Sequence, residues 1–434
     1  AYTVWSQSNV NEKVYTVSLL TVGLVSWLAL RWRDGGRDPR RLLLAGYALV
    51  LSATNHLMGL LAGPALLLFL LLDHPRTLAS RRFWVAAVPL AALAQSVQLF
   101  LPIRAEQKPL VLQAEPTCAS LGEAAVSIYT WGQGGCEALS SSLRREQYDK
   151  PPITADPTDP AAPRSPRLFA AQLLNWLQYF DWQWARSVAG YDEVLGGARP
   201  LFSLLFLGLG LAGLRAVLRR DPAAGAYLAS LFLTLSLGLV VYLNFRYGWS
   251  IAREAFPAQA AHEVRERDYF FVIGFSVWAV CAGIGLAAAW QGLARRLAER
   301  TSLAGVRPRL WAAPVLGLAL LPLALNWSWA SRADDWTARD WAYNVLMSVE
   351  PYGVLVTNGD NDSYPLWYAQ KVEGIREDVT IVLTPYLRTA WYPKQLRELT
   401  RPCPPGVSAD DDPTRIVCQR PLDPGEIPAP LVRD

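Results

Sequence analysis

The sequence predicts an all-α polytopic membrane protein of about eight spans, followed by an α/β segment outside the membrane. Three observations carry this expectation. Four windows contain no Asp, Glu, Lys or Arg: Phe83–Ile103, Ala223–Phe245, Tyr269–Trp290 and Leu310–Ala330. Each supplies the roughly 20 residues that a helix needs to cross ~30 Å of hydrocarbon. Arginines gather in the short connections between apolar runs. The tail instead carries short β-branched runs separated by turn residues.

Composition agrees. The 434 residues are 52 % hydrophobic and only 18 % charged, below the ~25 % usual in soluble domains. A soluble single-domain enzyme, a disordered chain, a coiled coil and a small disulfide scaffold are excluded. The net charge of +4 is ordinary, and no nucleic-acid partner is expected. Three His and five Cys make a His/Cys zinc site hard to assemble. Residue 1 is Ala, and no basic start with an apolar run and a small-residue cleavage site follows it. The chain reads as a piece of a longer protein that lacks its N-terminal part, and its C-terminus as well.

The first span is Val14–Leu30. The uncharged block Leu42–Leu72 would be about 46 Å long as one helix, too long for a simple crossing. Arg31, Arg33, Arg37, Arg40 and Arg41 precede it, and Arg76, Arg81 and Arg82 follow it. Positive flanks favour the cytoplasmic face, so the block is expected to cross twice, with Thr54-Asn55-His56 as the polar turn between two short helices. Phe83–Ile103 then completes residues 1–103 as four membrane helices. Residues 200–330 supply four more, with arginine-rich loops at 215–224 and 291–309 on the cytoplasmic side. The long loop 104–199 and the tail 331–434 fall on the non-cytoplasmic side, as in a bacterial inner-membrane protein.

Cysteines test this orientation. Cys118 and Cys136 share one outer segment, Cys403 and Cys418 share the other, and Cys281 lies alone in mid-span. Two pairs in an oxidising compartment read as disulfides, the alternative being unpaired buried thiols. Trp176, Tyr179, Phe180, Trp182 and Trp184 read as an aromatic belt at the membrane interface. In the tail, Gly353–Thr357 reads as a buried strand, Asn358–Asp362 as a turn, Ser363–Val372 as a helix and Val379–Leu383 as a second strand.

Four constellations have chemical potential. Trp5-Ser6-Gln7, Glu12 and Tyr15 sit at the outer mouth of the first span, where a carboxylate orients a hydroxyl or is simply solvated. Asn55-His56 lies at membrane depth, where polar groups serve function or only finish two helices. His262-Glu263-Val264-Arg265-Glu266-Arg267-Asp268-Tyr269 runs into a span with five charges of mixed sign before it. Guanidinium groups there suit a lipid-linked phosphate, because they bind its oxygens bidentately and keep their charge. The neighbouring carboxylates either hold those arginines in place or consume them. Arg104, at the end of the fourth span, shares that site or snorkels. Asn358-Gly359-Asp360-Asn361-Asp362 offers Asp360 and Asp362 to a divalent cation, or serves as a strand-to-helix turn with an Asp N-cap. The glycine-rich nucleotide motifs and G-x-S-x-G are absent from the sequence, so ATP-driven transport and serine hydrolysis lack support.

Seven segments in register carry a family resemblance: Val4-Trp5-Ser6-Gln7 through Tyr15; Asn55-His56; Leu101-Pro102-Ile103-Arg104; Arg145-Glu146-Gln147-Tyr148; Asp181-Trp182-Gln183-Trp184-Ala185-Arg186; Val264 through Phe271; and Thr357–Asp362 through Arg376. Together they resemble a domain-of-unknown-function family of bacterial polytopic membrane proteins. That family also includes the animal O-mannosyltransferase acting on plexin ectodomains and is classed with the GT-C glycosyltransferases. The resemblance implies transfer of a sugar, mannose first, from a polyprenyl-phosphate carrier to an exported protein or glycan acceptor at the non-cytoplasmic face of the bilayer. It implies a catalytic acidic residue upstream of Ala1, with Glu12 and Asp268 as lesser candidates. Arg265 and Arg267, then Arg104, are expected to bind donor phosphate, with Asn55, His56 and Tyr269 lining the pocket. A divalent cation at Asp360 and Asp362, read from those residues and not from the resemblance, is the one cofactor candidate. The rival readings are a transporter or flippase of lipid-linked glycans, and a non-catalytic scaffold whose outer domain binds a ligand.

Overall fold

A computed structural model describes residues 1–9, 14–107, 114–146, 151–190, 195–300, 307–400 and 405–406. The chain is mostly helical and divides into two units, one of residues 1–98 and 150–332 and one of residues 99–149 and 333–434.

The first unit owes its form to apolar helices. Among the described residues, five helices are long and apolar enough to cross a membrane: Val14–Asp34, Arg81–Glu106, Arg199–Arg220, Pro222–Leu243 and Asp268–Glu299. The Leu42–Leu72 block is interrupted where the sequence predicts. Asp38 accepts from Arg40 N at 3.0 Å to start the helix Pro39–Asn55, with Pro39 in its first turn. His56, extended at φ −159°, ends that helix, and its Nδ1 then accepts from Met58 N at 3.2 Å to open Leu57–Asp73. The Leu310–Ala330 run is shorter than expected, because its helix covers Pro308–Ala324 only. Pro314 and Pro322 remove backbone donors, and residues 313–320 tighten into a 3-10 helix. Asn326, fully buried, spends its amide on tertiary partners beyond that point.

Glycines set the closest helix crossing. A Cβ at Gly213 would lie 1.9 Å from Cys281 O, and one at Gly285 would lie 1.9 Å from Leu209 O. Small residues let the backbones of Arg199–Arg220 and Asp268–Glu299 touch where no hydrophobic force distinguishes lipid from protein. Gly210 makes room for the Trp278 ring in the same way. Between other helices, Ser26 and Tyr227 share a hydrogen bond of 2.7 Å, and Arg33 meets Asp221 at 2.6 Å.

The aromatic run 176–184 does not form an interfacial belt. It belongs to the helix Pro166–Ala185, where Tyr179, Phe180, Trp182 and Trp184 are at most 6 % exposed and join the core of the first unit. Trp184 stacks on Phe206 at 4.6 Å, and Phe180 meets Trp278 edge-on at 6.1 Å.

The second unit contains a helical hairpin and a strand–helix–strand element. Helices Leu121–Tyr129 and Glu137–Arg144 pack over Ala124, Ile128 and Leu139, with Cys118 and Cys136 joined in a disulfide. In the tail, strands Val354–Thr357 and Thr380–Leu383 pair in parallel, Val354 opposite Thr380, with helix Asp360–Lys371 between them. Arg376 ties this element together. It grips Asp378 through Nε (2.9 Å) and Nη2 (3.0 Å), while Nη1 donates to Leu346 O and Val349 O at 2.8 Å each.

Candidate functional site

The helix Pro166–Ala185 carries a polar stripe, Gln172, Asn175, Gln178 and Gln183, all buried. Buried amides are costly unless hydrogen-bonded, and their partners come largely from the irregular stretch 244–268. Gln172 Nε2 donates to Phe245 O, and Gln178 Nε2 donates to Ser250 Oγ at 2.9 Å. Asn175 Nδ2 donates to Gln178 Oε1 at 2.9 Å. Gly248 approaches so closely that a Cβ would fall 2.3–2.6 Å from the Asn175 amide.

This docking fixes the charged segment. Glu266, 8 % exposed, accepts from Tyr179 Oη at 2.7 Å and from Ser250 Oγ at 2.6 Å. The Tyr179 oxygen in turn accepts from Arg267 N at 2.9 Å. Burial, reinforced by the Glu266 charge, holds the Tyr179 phenol well above its ordinary pKa, so it remains a donor. Asp268 accepts from Thr3 Oγ1 at 2.6 Å. Gln183 clasps the same threonine, accepting from its N–H at 3.0 Å and donating to its hydroxyl at 2.8 Å. The short helix Tyr2–Asn9 is thereby tied to the start of the long helix Asp268–Glu299.

Tyr269 gathers the basic groups. Arg265 Cζ lies 5.1 Å from the centre of its ring, and Arg267 Nη1 donates to its hydroxyl at 2.7 Å. Arg267 Nε also donates to Glu263 Oε2 at 2.8 Å. Burial works against the Arg267 charge, but the Tyr269 oxygen and the Glu263 carboxylate outweigh it and hold its pKa above the ordinary value. Tyr15 completes an aromatic cluster, 5.0 Å from Tyr269, 5.4 Å from His56 and 5.7 Å from Phe270. One rim therefore brings two guanidinium groups beside aromatic rings, with the Arg267 charge paired to the Glu263 carboxylate.

Two further buried cations brace the same helix. Arg186, fully buried, lies 3.7 Å from the Trp182 ring centre, 4.9 Å from that of Trp329 and 5.9 Å from that of Tyr2. Arg199 pairs with Asp181 at 3.1 Å, and Ser203 Oγ donates to the other Asp181 oxygen at 2.6 Å.

The structure thus brings Arg265, Arg267, Tyr269 and His56 to one rim and turns Asp268 toward Thr3. Asn55 Nδ2 donates to Val14 O at 3.2 Å, beside that rim. His262 is buried, its ring nitrogens 2.9 Å from Gly248 O and 2.7 Å from Phe256 O. Arg104 is exposed on the last turn of Arg81–Glu106 and belongs to the second unit. Glu12, Cys403 and Cys418 lie outside the described residues. Asp362 takes the turn-and-cap role, its two oxygens accepting from Asn358 N and Gly359 N at 2.7 Å each. Among the described residues no three His, Cys, Asp or Glu side chains gather as a metal site needs.

Thr3, Tyr179, Gln183 and Ser250 were not singled out by sequence reasoning as site residues, and Glu266 was read only as one carboxylate of the charged segment. The available signal was the amide stripe on an otherwise aromatic helix, since buried amides demand partners.

Residues 1–79 match the family model of the protein O-mannosyl-transferase TMEM260 N-terminal domain, and residues 338–408 match that of TMEM260-associated domain 2. At these two stretches the chain is similar to the TMEM260-related family. Searches of curated proteins and of solved structures find no match. Thr3, Tyr15, Asn55 and His56 fall within the TMEM260 N-terminal match, and the parallel strands fall within the second match. Residues 166–185 and 244–269, which complete the rim, lie between the two matched stretches.

Proposed function

We propose that this chain is an integral-membrane glycosyltransferase of the GT-C type. It moves a sugar, mannose first, from a polyprenyl-phosphate donor to a protein or glycan acceptor at the non-cytoplasmic face. The observation that carries the reading is the convergence of Arg265 and Arg267 on Tyr269, immediately before the long helix Asp268–Glu299. In such a transfer the bond between the sugar and the carrier phosphate breaks as the acceptor oxygen bonds to the sugar carbon. The departing phosphate gains negative charge, which two guanidinium groups stabilise without themselves losing a proton. The acceptor hydroxyl must lose its proton to a base. Glu263 is committed to Arg267, and Glu266 to Tyr179 and Ser250. Asp268 is likewise engaged, accepting from Thr3 at 2.6 Å, and stands with Glu12 as a lesser candidate for that base.

The eight-crossing topology remains part of this proposal. A 3-10 helix rises about 2.0 Å per residue against about 1.5 Å in an α-helix. Leu57–Asp73, with six 3-10 residues, and Pro308–Ala324, with eight, then reach about 28 and about 30 Å. Pro39–Asn55 reaches about 26 Å. These lengths approach the hydrocarbon thickness, and the Cys118–Cys136 disulfide supports an oxidising side for its segment.

Transfer from a radiolabelled polyprenyl-phosphate sugar in proteoliposomes tests the reading. Arg267→Ala is expected to abolish transfer and Arg267→Lys to retain a small fraction, with membrane insertion unchanged. Full transfer by inserted Arg267→Ala protein would refute it.

A further inference from the structure

The disulfide-closed hairpin of the second unit has two unlike faces. Its inner face buries Ala124, Ile128 and Leu139 and packs on Leu99 of the helix Arg81–Glu106. Its outer face exposes Leu121 (62 %), Val126 (48 %), Tyr129 (48 %) and Trp131 (45 %).

Trp131 occupies an unfavourable backbone position. The helix ends with Gly132 N bonded to Ser127 O at 2.8 Å and Trp131 N bonded to Ile128 O at 3.2 Å. This pair of bonds puts Trp131 at the left-handed position, φ +53°, which glycine normally fills. Glycines are present nearby: Gly132 and Gly135 also have positive φ, and a Cβ at either would strike backbone within 2.7 Å. The turn therefore uses glycine where atoms collide and tolerates strain where the side chain points an indole outward. Strain kept at a single exposed aromatic points to a use for that side chain.

The hairpin's depth identifies the partner. Leu99 lies four residues before the end of the charge-free run Phe83–Ile103, about 6 Å inside it along the helix. An element packed on Leu99 therefore sits at the boundary between acyl chains and headgroups, where Trp and Tyr are enriched. We propose that this hairpin is a monotopic anchor whose outer face, Leu121, Val126, Tyr129 and Trp131, inserts into the phospholipid surface beside the span. The disulfide keeps the two short helices rigid enough to hold that face at one depth.

The test uses the full chain in vesicles of phosphatidylcholine and phosphatidylglycerol, with a benzophenone amino acid at position 131, at position 126, or at the exposed Ala138 on the second helix. Mass spectrometry is expected to find phospholipid adducts at 131 and 126 at least fivefold over 138. Chains with an intact Cys118–Cys136 bond that give only protein–protein adducts, or no lipid adducts at either position, would overturn the proposal. Trp131→Gly supplies a readout independent of crosslinking. It should leave detergent thermal stability unchanged or higher while reducing lipid adducts at 126. Undiminished adducts at 126 would contradict the anchoring role of Trp131.

Discussion

Thr3 and Asp268 are 265 positions apart in the chain and are joined by a 2.6 Å hydrogen bond. That bond, with Gln183 closing it from the side, attaches the first helix of the chain to the turn that carries the basic rim. A hydrogen bond to a charged acceptor contributes about 1.5–3 kcal/mol. Thr3→Val is expected to remove that amount and Thr3→Ser to restore most of it. Thermal unfolding in detergent, read beside transfer activity, checks both variants.

Tight crossing of the helices Arg199–Arg220 and Asp268–Glu299 depends on Gly213 and Gly285. Gly213→Leu forces a side chain into the Cys281 backbone and should destabilise by about 1–3 kcal/mol or more. Gly208, on the same helix, has open space where a methyl group would stand, with no neighbouring atom within 4 Å, so Gly208→Ala should be silent. Fluorescence-detected size exclusion distinguishes them: the first loses its monodisperse peak and the second keeps it.

Acid should loosen the tail before the membrane unit. Burial alone would raise the Asp378 pKa, but the Arg376 guanidinium and the Tyr352 N–H outweigh it and hold the carboxyl below its ordinary value. A lowered folded pKa means that the stabilisation is complete above the unfolded value, near 3.9, and is lost as pH falls through the folded value. Asp378→Asn should be less stable than wild type at neutral pH, with the difference shrinking at low pH. Proteolysis of the tail across pH, followed by fragment mass, measures the gap. Breaking a buried pair by removing one partner costs about 3–5 kcal/mol, which sets the scale for Arg376→Ala.

The apolar helices were legible because exclusion of charge over about 15 residues or more is a one-dimensional signal. The break at His56 and the tail strands followed from local chemistry: a polar triplet, and β-branched runs with turns. Val354–Thr357 and Thr380–Leu383 each fall within one residue of the expected bounds, but the first is not the buried strand expected, because Val354 and Val356 are exposed. The run 176–184 misled, because aromatic composition alone does not distinguish a membrane belt from a core helix. Gln178 and Gln183 on it find partners 72 and 180 positions away in sequence, and no local pattern reports such partners. Asn326 shortens the last apolar run for the same reason, bonding Gln183 O at 3.0 Å and Arg186 N at 2.6 Å. The basic rim was half legible. Arg265, Glu266 and Arg267 stood out by charge beside a span with Tyr269 at its start, whereas the supports Tyr179 and Thr3 did not.

The central claim is that Arg265 and Arg267 hold the phosphate of a lipid-linked sugar, and direct binding tests it without requiring turnover. Native mass spectrometry of the detergent-solubilised chain with a polyprenyl-phosphate mannose should show one bound molecule. Arg265→Ala with Arg267→Ala should weaken that binding by at least tenfold while the protein stays folded. Equal binding by the double variant and the wild type would contradict the account.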